Sequence, residues 1–166
     1  MLIFKQKIKV NSATDFVLKG SVGYMVCDDE KCLPPTDEIF EFKLKGVKGG
    51  VEVNPNTTLN EKVSNNSIIP QISISNLPEP SGILDPVQWS FSSTKINDTE
   101  YLITAKATIE KHWHVYSSVL ESDDGPTPTK FNLDDSVKAE FFGAISEKGE
   151  KKREYDPNFL MNLDYY

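Results

Sequence analysis

Cysteine and histidine are both scarce: 166 residues contain two of each. Two cysteines fit one disulfide, one redox pair or half of a metal site, and the count does not choose among them. Long hydrophobic runs are missing as well. No stretch approaches the roughly 20 apolar residues a bilayer-spanning helix needs. Nor does a secretory leader open the chain, since Met1-Leu2-Ile3-Phe4 runs straight into Lys5-Gln6-Lys7-Ile8-Lys9-Val10, which reads as a strand. The expectation is a start cut inside a longer protein. Cationic excess is lacking too: 18 Lys and Arg stand against 25 Asp and Glu, a formal charge of −7. That balance argues against nucleic acid, or an anionic membrane, as the main partner. What is present suffices for a core, with 38% apolar and 26% charged residues.

Hydrophobic patterning divides the chain into three stretches. Residues 1–46 alternate as strands do, with Ile8 and Val10 on one face of the first run and Lys7 and Lys9 on the other. A second strand region covers 16–26 and a third covers 39–44. Residues 47–86 change character: Gly49-Gly50, Asn54-Pro55-Asn56, Asn65-Asn66-Ser67 and Pro70, Pro78, Pro80 and Pro86 read as a linker. Within it, Ile68-Ile69 and Ile72-Ser73-Ile74 offer one edge strand. Residues 87–166 return to strand patterning at Trp89-Ser90-Phe91, 101–109, 113–116, 130–133 and 139–142, with turns at Asn97-Asp98 and Asp123-Asp124-Gly125-Pro126. The acidity concentrates here, nine basic residues against fourteen acidic ones. Many short strands without a helical period predict an all-β sandwich of immunoglobulin-like type.

Both cysteines lie in Cys27-Asp28-Asp29-Glu30-Lys31-Cys32, between two strand regions. Residues flanking a four-residue hairpin loop face each other at roughly 4.5–5.5 Å between Cα atoms, within reach of a disulfide. A bond closing so short a loop stabilises by only about 2 kcal/mol on chain-entropy grounds, against nearly 5 for a loop of about 100 residues. That tilts the reading towards redox use, although a plain structural disulfide or two reduced thiols fits the spacing equally. Asp28, Asp29 and Glu30 disfavour a nearby thiolate and Lys31 favours one. Zinc is a further reading, with His112 and His114 completing two cysteines and two histidines, but the histidines lack the usual finger spacing. Strand alternation through 111–116 places His112, His114 and Tyr116 on one face, and Trp113 and Val115 on the core face. His114 and Tyr116 then stand outside or line a site.

Val22-Gly23-Tyr24-Met25-Val26-Cys27, the acidic loop, and Cys32-Leu33-Pro34-Pro35 resemble the redox segment of the periplasmic N-terminal domain of the thiol:disulfide interchange protein DsbD. The loop is one residue shorter than in the best-known members. Trp89-Ser90-Phe91, Trp113-His114-Val115-Tyr116-Ser117, Gly125-Pro126-Thr127-Pro128-Thr129 and Tyr155-Asp156-Pro157-Asn158-Phe159 follow the order of that domain's first half. The resemblance implies that His114 and Tyr116 line the site and that Asp156 is the carboxylate beside the cysteines. Phe159, or Asn158 next to it, belongs to a cap over the disulfide; the family usually carries glycine where Leu160 stands. Residues 1–46 thus look like the second half of one module and 87–166 like the first half of the next. The implied architecture is a permuted sandwich closed within one chain, or a strand-swapped dimer. The implied role is a relay of reducing equivalents from a thioredoxin-like domain to periplasmic disulfide-bonded proteins, including disulfide carriers and cytochrome c maturation proteins. Cys32 would bond the partner, Cys27 would resolve the intermediate and Asp156 would assist proton transfer. No cofactor is implied, and the parent protein would be anchored in the inner membrane.

Overall fold

The computed structural model describes residues 1–47, 84–134 and 138–166. All regular structure among them is β-strand: β1 Leu2–Val10, β2 Phe16–Tyr24, β3 Val26–Cys27, β4 Thr36–Leu44, β5 Val87–Lys95, β6 Glu100–Ile109, β7 His114–Val115, β8 Lys130–Leu133, β9 Ala139–Lys148, β10 Lys152–Asp156 and β11 Met161–Tyr165. The expected all-β sandwich forms. One sheet runs β5-β6-β1-β9 and the facing one β4-β2-β8, every pairing antiparallel. The edge-strand expectation at 68–74 lies outside the described residues, as does most of the 47–86 linker. No helix among the described residues is long and apolar enough to cross a membrane.

Period-two patterning explains the layers. In β1, Leu2, Phe4, Ile8 and Val10 are buried while Lys7 and Lys9 face solvent. Gln6 falls on the core face and is buried, an arrangement that costs free energy unless its amide is bonded. The ladder to β9 shifts register between Lys5 and Lys7. The Gln6 amide donates to the carbonyls of Phe142 and Gly143 there, at 3.3 and 3.1 Å. Facing rings join the two sheets: Trp89 lies 5.1 Å from Tyr24 and Phe40 lies 5.4 Å from Phe91, while Trp89 also lies 6.1 Å from Phe4 within its own sheet. Trp89 is half-buried between the sheets. Trp113 and Val115, expected on the core face, both pack against the main core, Val115 fully buried and Trp113 half-buried with the Lys31 ammonium over its ring at 5.5 Å.

Strands from either side of residues 48–83 interleave in one compact unit. β1 sits between β6 and β9, and β2 sits between β4 and β8. At one end of the sandwich the run expected as a single strand over 16–26 breaks at Met25, and β3 leaves β2 to pair with β7. The ladder continues past β7: Val115 and Tyr166 exchange N–H···O bonds at 3.0–3.1 Å, Ser117 N–H reaches the Asp164 carbonyl at 3.0 Å, and Tyr116 bridges Tyr165. Because β11 also pairs with β10, the order β3-β7-β11-β10 makes a small layer of its own, carrying the cysteines at one edge.

Candidate disulfide site

Cys27 and Cys32 form a disulfide with a Cα–Cα distance of 4.0 Å, closer than the spacing the sequence led us to expect. Backbone pairing explains the proximity. Leu33 N–H donates to the Val26 carbonyl and Asp28 N–H to the Lys31 carbonyl, both at 2.9 Å. Those bonds flank the cysteines and leave them a non-hydrogen-bonded antiparallel pair, the geometry in which opposing side chains approach most closely. The loop between them is held by Asp28, whose Oδ1 accepts from the backbone N–H groups of Glu30 and Lys31 at 2.8 Å each, while Oδ2 pairs with the Lys31 ammonium at 3.4 Å. Those backbone donors, led by Glu30, and then the Lys31 charge, hold the Asp28 carboxyl below its ordinary value.

Cys27 is wholly buried and Cys32 partly exposed. They sit outside the main core, in a second apolar cluster with Tyr116 and Leu163, walled by Met25, Leu120, Phe159, Met161 and Tyr165. In the β3–β7 ladder Cys27 stands directly opposite His114. The Tyr116 hydroxyl donates to Asp156 Oδ2 at 2.5 Å and lies 3.2 Å from His114 Nε2, which is itself 3.7 Å from Asp156 Oδ2. Asp156 is 3% exposed, and its other oxygen accepts the Asn158 N–H at 2.8 Å. Burial, and then the Asp156 bond and charge, push the Tyr116 phenol far above its ordinary value. Desolvation also lowers the His114 pKa, against the opposing pull of Asp156 and more distant Asp29 and Asp28.

The 157–160 turn between β10 and β11 lies over this cluster. Phe159 packs edge-on against Tyr116 at 5.9 Å between ring centres, and the Asn158 side-chain amide donates to the Asp28 carbonyl at 3.3 Å, joining the turn to the cysteine loop. All seven residues singled out from the sequence, Cys27, Cys32, His114, Tyr116, Asp156, Asn158 and Phe159, thus converge on one place. His112 does not join them. It is exposed in the turn before β7 with φ of 73°, so the single face expected for 112, 114 and 116 is broken at its first member. Among the described residues no group of three or more His, Cys, Asp or Glu is placed to hold a metal ion.

Sequence reasoning missed several members. Tyr165 packs at a tilt against His114, 4.4 Å between ring centres, and donates to Glu154 at 2.5 Å; burial first, then Glu154, raises its phenol to about 12. Its strand carried a legible signal, since Met161, Leu163 and Tyr165 alternate with Asn162 and Asp164. Glu147 was missed also. This carboxylate accepts from Ser117 Oγ at 2.8 Å, Ser118 N–H at 2.5 Å and Tyr166 O–H at 2.7 Å, pinning the segment that follows Tyr116 onto β9. No family model, curated protein or solved structure matches the chain.

Proposed function

We propose that the chain performs thiol–disulfide interchange through Cys27 and Cys32, relaying reducing equivalents from a thioredoxin-like domain to periplasmic disulfide carriers or cytochrome c maturation proteins. In this reading it is a periplasmic part of a membrane-anchored protein, built from two half-modules in permuted order. One observation carries the redox reading. The disulfide closes a loop with a sequence separation of only 5, and lies beneath a turn beside three polar side chains rather than between the two main sheets. A staple for the sandwich would gain more by joining distant segments across the core.

The exchange proceeds by thiolate attack. A partner thiolate attacks Sγ of Cys32, the more exposed of the two cysteines, forming a mixed disulfide and expelling Cys27 as thiolate. The partner's second thiolate then attacks its own bonded sulfur and releases Cys32. Two electrons pass to the chain, and two protons from solvent complete the dithiol. Reversing these steps on another disulfide passes the electrons on.

A second reading, a binding module with a purely structural disulfide, draws on the complete burial of Cys27. Thioredoxin separates the two. Reduced thioredoxin should open the pair, and Cys27→Ser should trap a mixed disulfide through Cys32 while Cys32→Ser traps little. A pair that stays bonded where thioredoxin itself is reduced overturns the relay and leaves the structural reading standing.

A further inference from the structure

Once reduced, the site faces a proton problem. To resolve a mixed disulfide held on Cys32, Cys27 must lose its thiol proton, yet Cys27 is sealed from solvent and a buried thiol resists ionisation. A base has to lie within the cluster. The charged and titratable groups facing it are Tyr116 and His114 at β7, Asp156 on β10, Tyr165 on β11, and Asp28 and Asp29 in the cysteine loop.

Hydrogen bonding and strand position set most of them aside. The single Tyr116 proton is committed to Asp156 Oδ2; Asp156, which also accepts the Asn158 N–H, keeps acceptor capacity but stands on β10, with β11 and β7 between it and β3. Asp28 is occupied by Glu30, Lys31 and its ion pair. Tyr165 donates to Glu154, and Asp29 is exposed. His114 remains. Since the Tyr116 hydroxyl has spent its hydrogen, its contact with His114 Nε2 requires the imidazole to donate there. The neutral ring is therefore the Nε2–H tautomer, with the lone pair on Nδ1. No hydrogen bond from the described residues occupies Nδ1. Directly opposed residues of an antiparallel pair carry their Cβ atoms roughly 4.5–5.5 Å apart on one face, which puts the ring beside Cys27.

We propose that His114 is the general base of this site, its Nδ1 taking the Cys27 thiol proton, with Tyr116 and Asp156 as positioning residues that fix the tautomer. This rests on the interchange reading above. Cys32 thiolate attacks the target disulfide, giving a mixed disulfide and one target thiolate. His114 accepts the Cys27 proton, Cys27 thiolate attacks Cys32 Sγ, the Cys32–target bond breaks, and the second target thiolate leaves with the proton from the imidazolium. The chain dithiol is oxidised and the target disulfide reduced, two electrons having moved. Burial, by lowering the His114 pKa, keeps the ring neutral and ready to accept at neutral pH.

The test uses the full reduced chain with one equivalent of the aromatic disulfide dithiobis(nitrobenzoate) from pH 5 to 9. The first nitrothiobenzoate released reports attack by Cys32 and the second reports resolution by Cys27. The second phase should rise with pH through an inflection below the ordinary histidine value of about 6.5. In His114→Gln and His114→Asn the ratio of second-phase to first-phase rate should fall at least ~10-fold and the inflection should vanish. The remaining rise then follows thiol ionisation alone. In the unmodified chain the His114 ring resonance should titrate at the pH of the inflection, a readout independent of how the variants fold. If the ratio and the inflection survive in both variants, or if ring and inflection titrate apart, His114 is not the base, while interchange stands. If neither phase occurs, the interchange reading fails, and the assignment with it.

Discussion

Leu160 holds a left-handed backbone conformation, with φ of 57°, in the turn covering the disulfide. A side chain in that region crowds the following carbonyl, at a cost of roughly 1–2 kcal/mol, and glycine escapes the clash. The leucine has little to set against this cost, being 74% exposed. Its N–H still closes the turn onto the Asp156 carbonyl at 2.9 Å, a bond glycine would keep. Glycine brings its own entropic cost of roughly 0.5–1 kcal/mol, so the net gain is small. Leu160→Gly should raise the stability of the folded chain by up to about 1 kcal/mol, and Leu160→Val should lower it, since a β-branched side chain tolerates the conformation least. Urea unfolding midpoints would measure both. A clear loss in the glycine variant would mean that the exposed leucine makes contacts worth more than the strain it causes.

Glu147, on β9, ties three pieces of the site layer together: the 117–118 segment, Tyr166 and Lys151. Burial alone would raise its carboxyl, but the donors from Ser118, Tyr166 and Ser117 outweigh burial and bring it down to about 2. A carboxylate depressed in the folded state contributes stability above its unfolded value of about 4.5, and that contribution is lost as pH falls towards 2. The contribution is on the order of 2–3 kcal/mol. Glu147→Gln should lower stability near neutrality and flatten its decline between pH 4.5 and pH 2, read from unfolding midpoints along that range. An unchanged acid limb would remove the clamp. Nothing in the pattern Ile145-Ser146-Glu147 marks this glutamate, because its meaning comes from a partner segment thirty residues away. The same holds for β10, where all residues but Asp156 are exposed and Lys-Arg-Glu-Tyr carries no alternation; pairing with β11 makes it a strand. Strands β1 and β6, by contrast, were legible because each buries alternate side chains in the main core. The site residues were legible for a different reason: Cys27, Cys32 and Asp156 lie in short motifs, whereas Tyr165 and Leu163, on a strand whose alternation is visible, join the site only through partners distant in sequence. Alternation placed Trp113 and Val115 on the core side, whereas His112 left the expected face because the chain turns there before β7 begins.

At the scale of the whole molecule, chain order and spatial order diverge. β1 is flanked on both sides by strands from the later part of the sequence, and β2 joins β4 on one side and β8 on the other. Without 84–166, β1 would lose both neighbours, and the faces of β2 and β4 carrying Leu18, Val22 and Phe40 would be bare. Each such side chain contributes roughly 1.5–3 kcal/mol when buried, so neither part holds its fold alone. The covalent link between the parts matters much less once they have closed, because linker length enters loop closure only logarithmically. A protease site placed near residue 66 tests this directly. After cleavage the two pieces should co-elute as one species of unchanged size, the Cys27–Cys32 bond and the contact of Cys27 with His114 should persist, and only denaturant should part them. On removal of denaturant, refolding should become dependent on concentration, because closing the sandwich is then an encounter between two chains. Pieces that separate after cleavage in native buffer, each keeping its strand signal, would mean that the two parts are independent folds. The site shared between β3 and β7 would then have no basis.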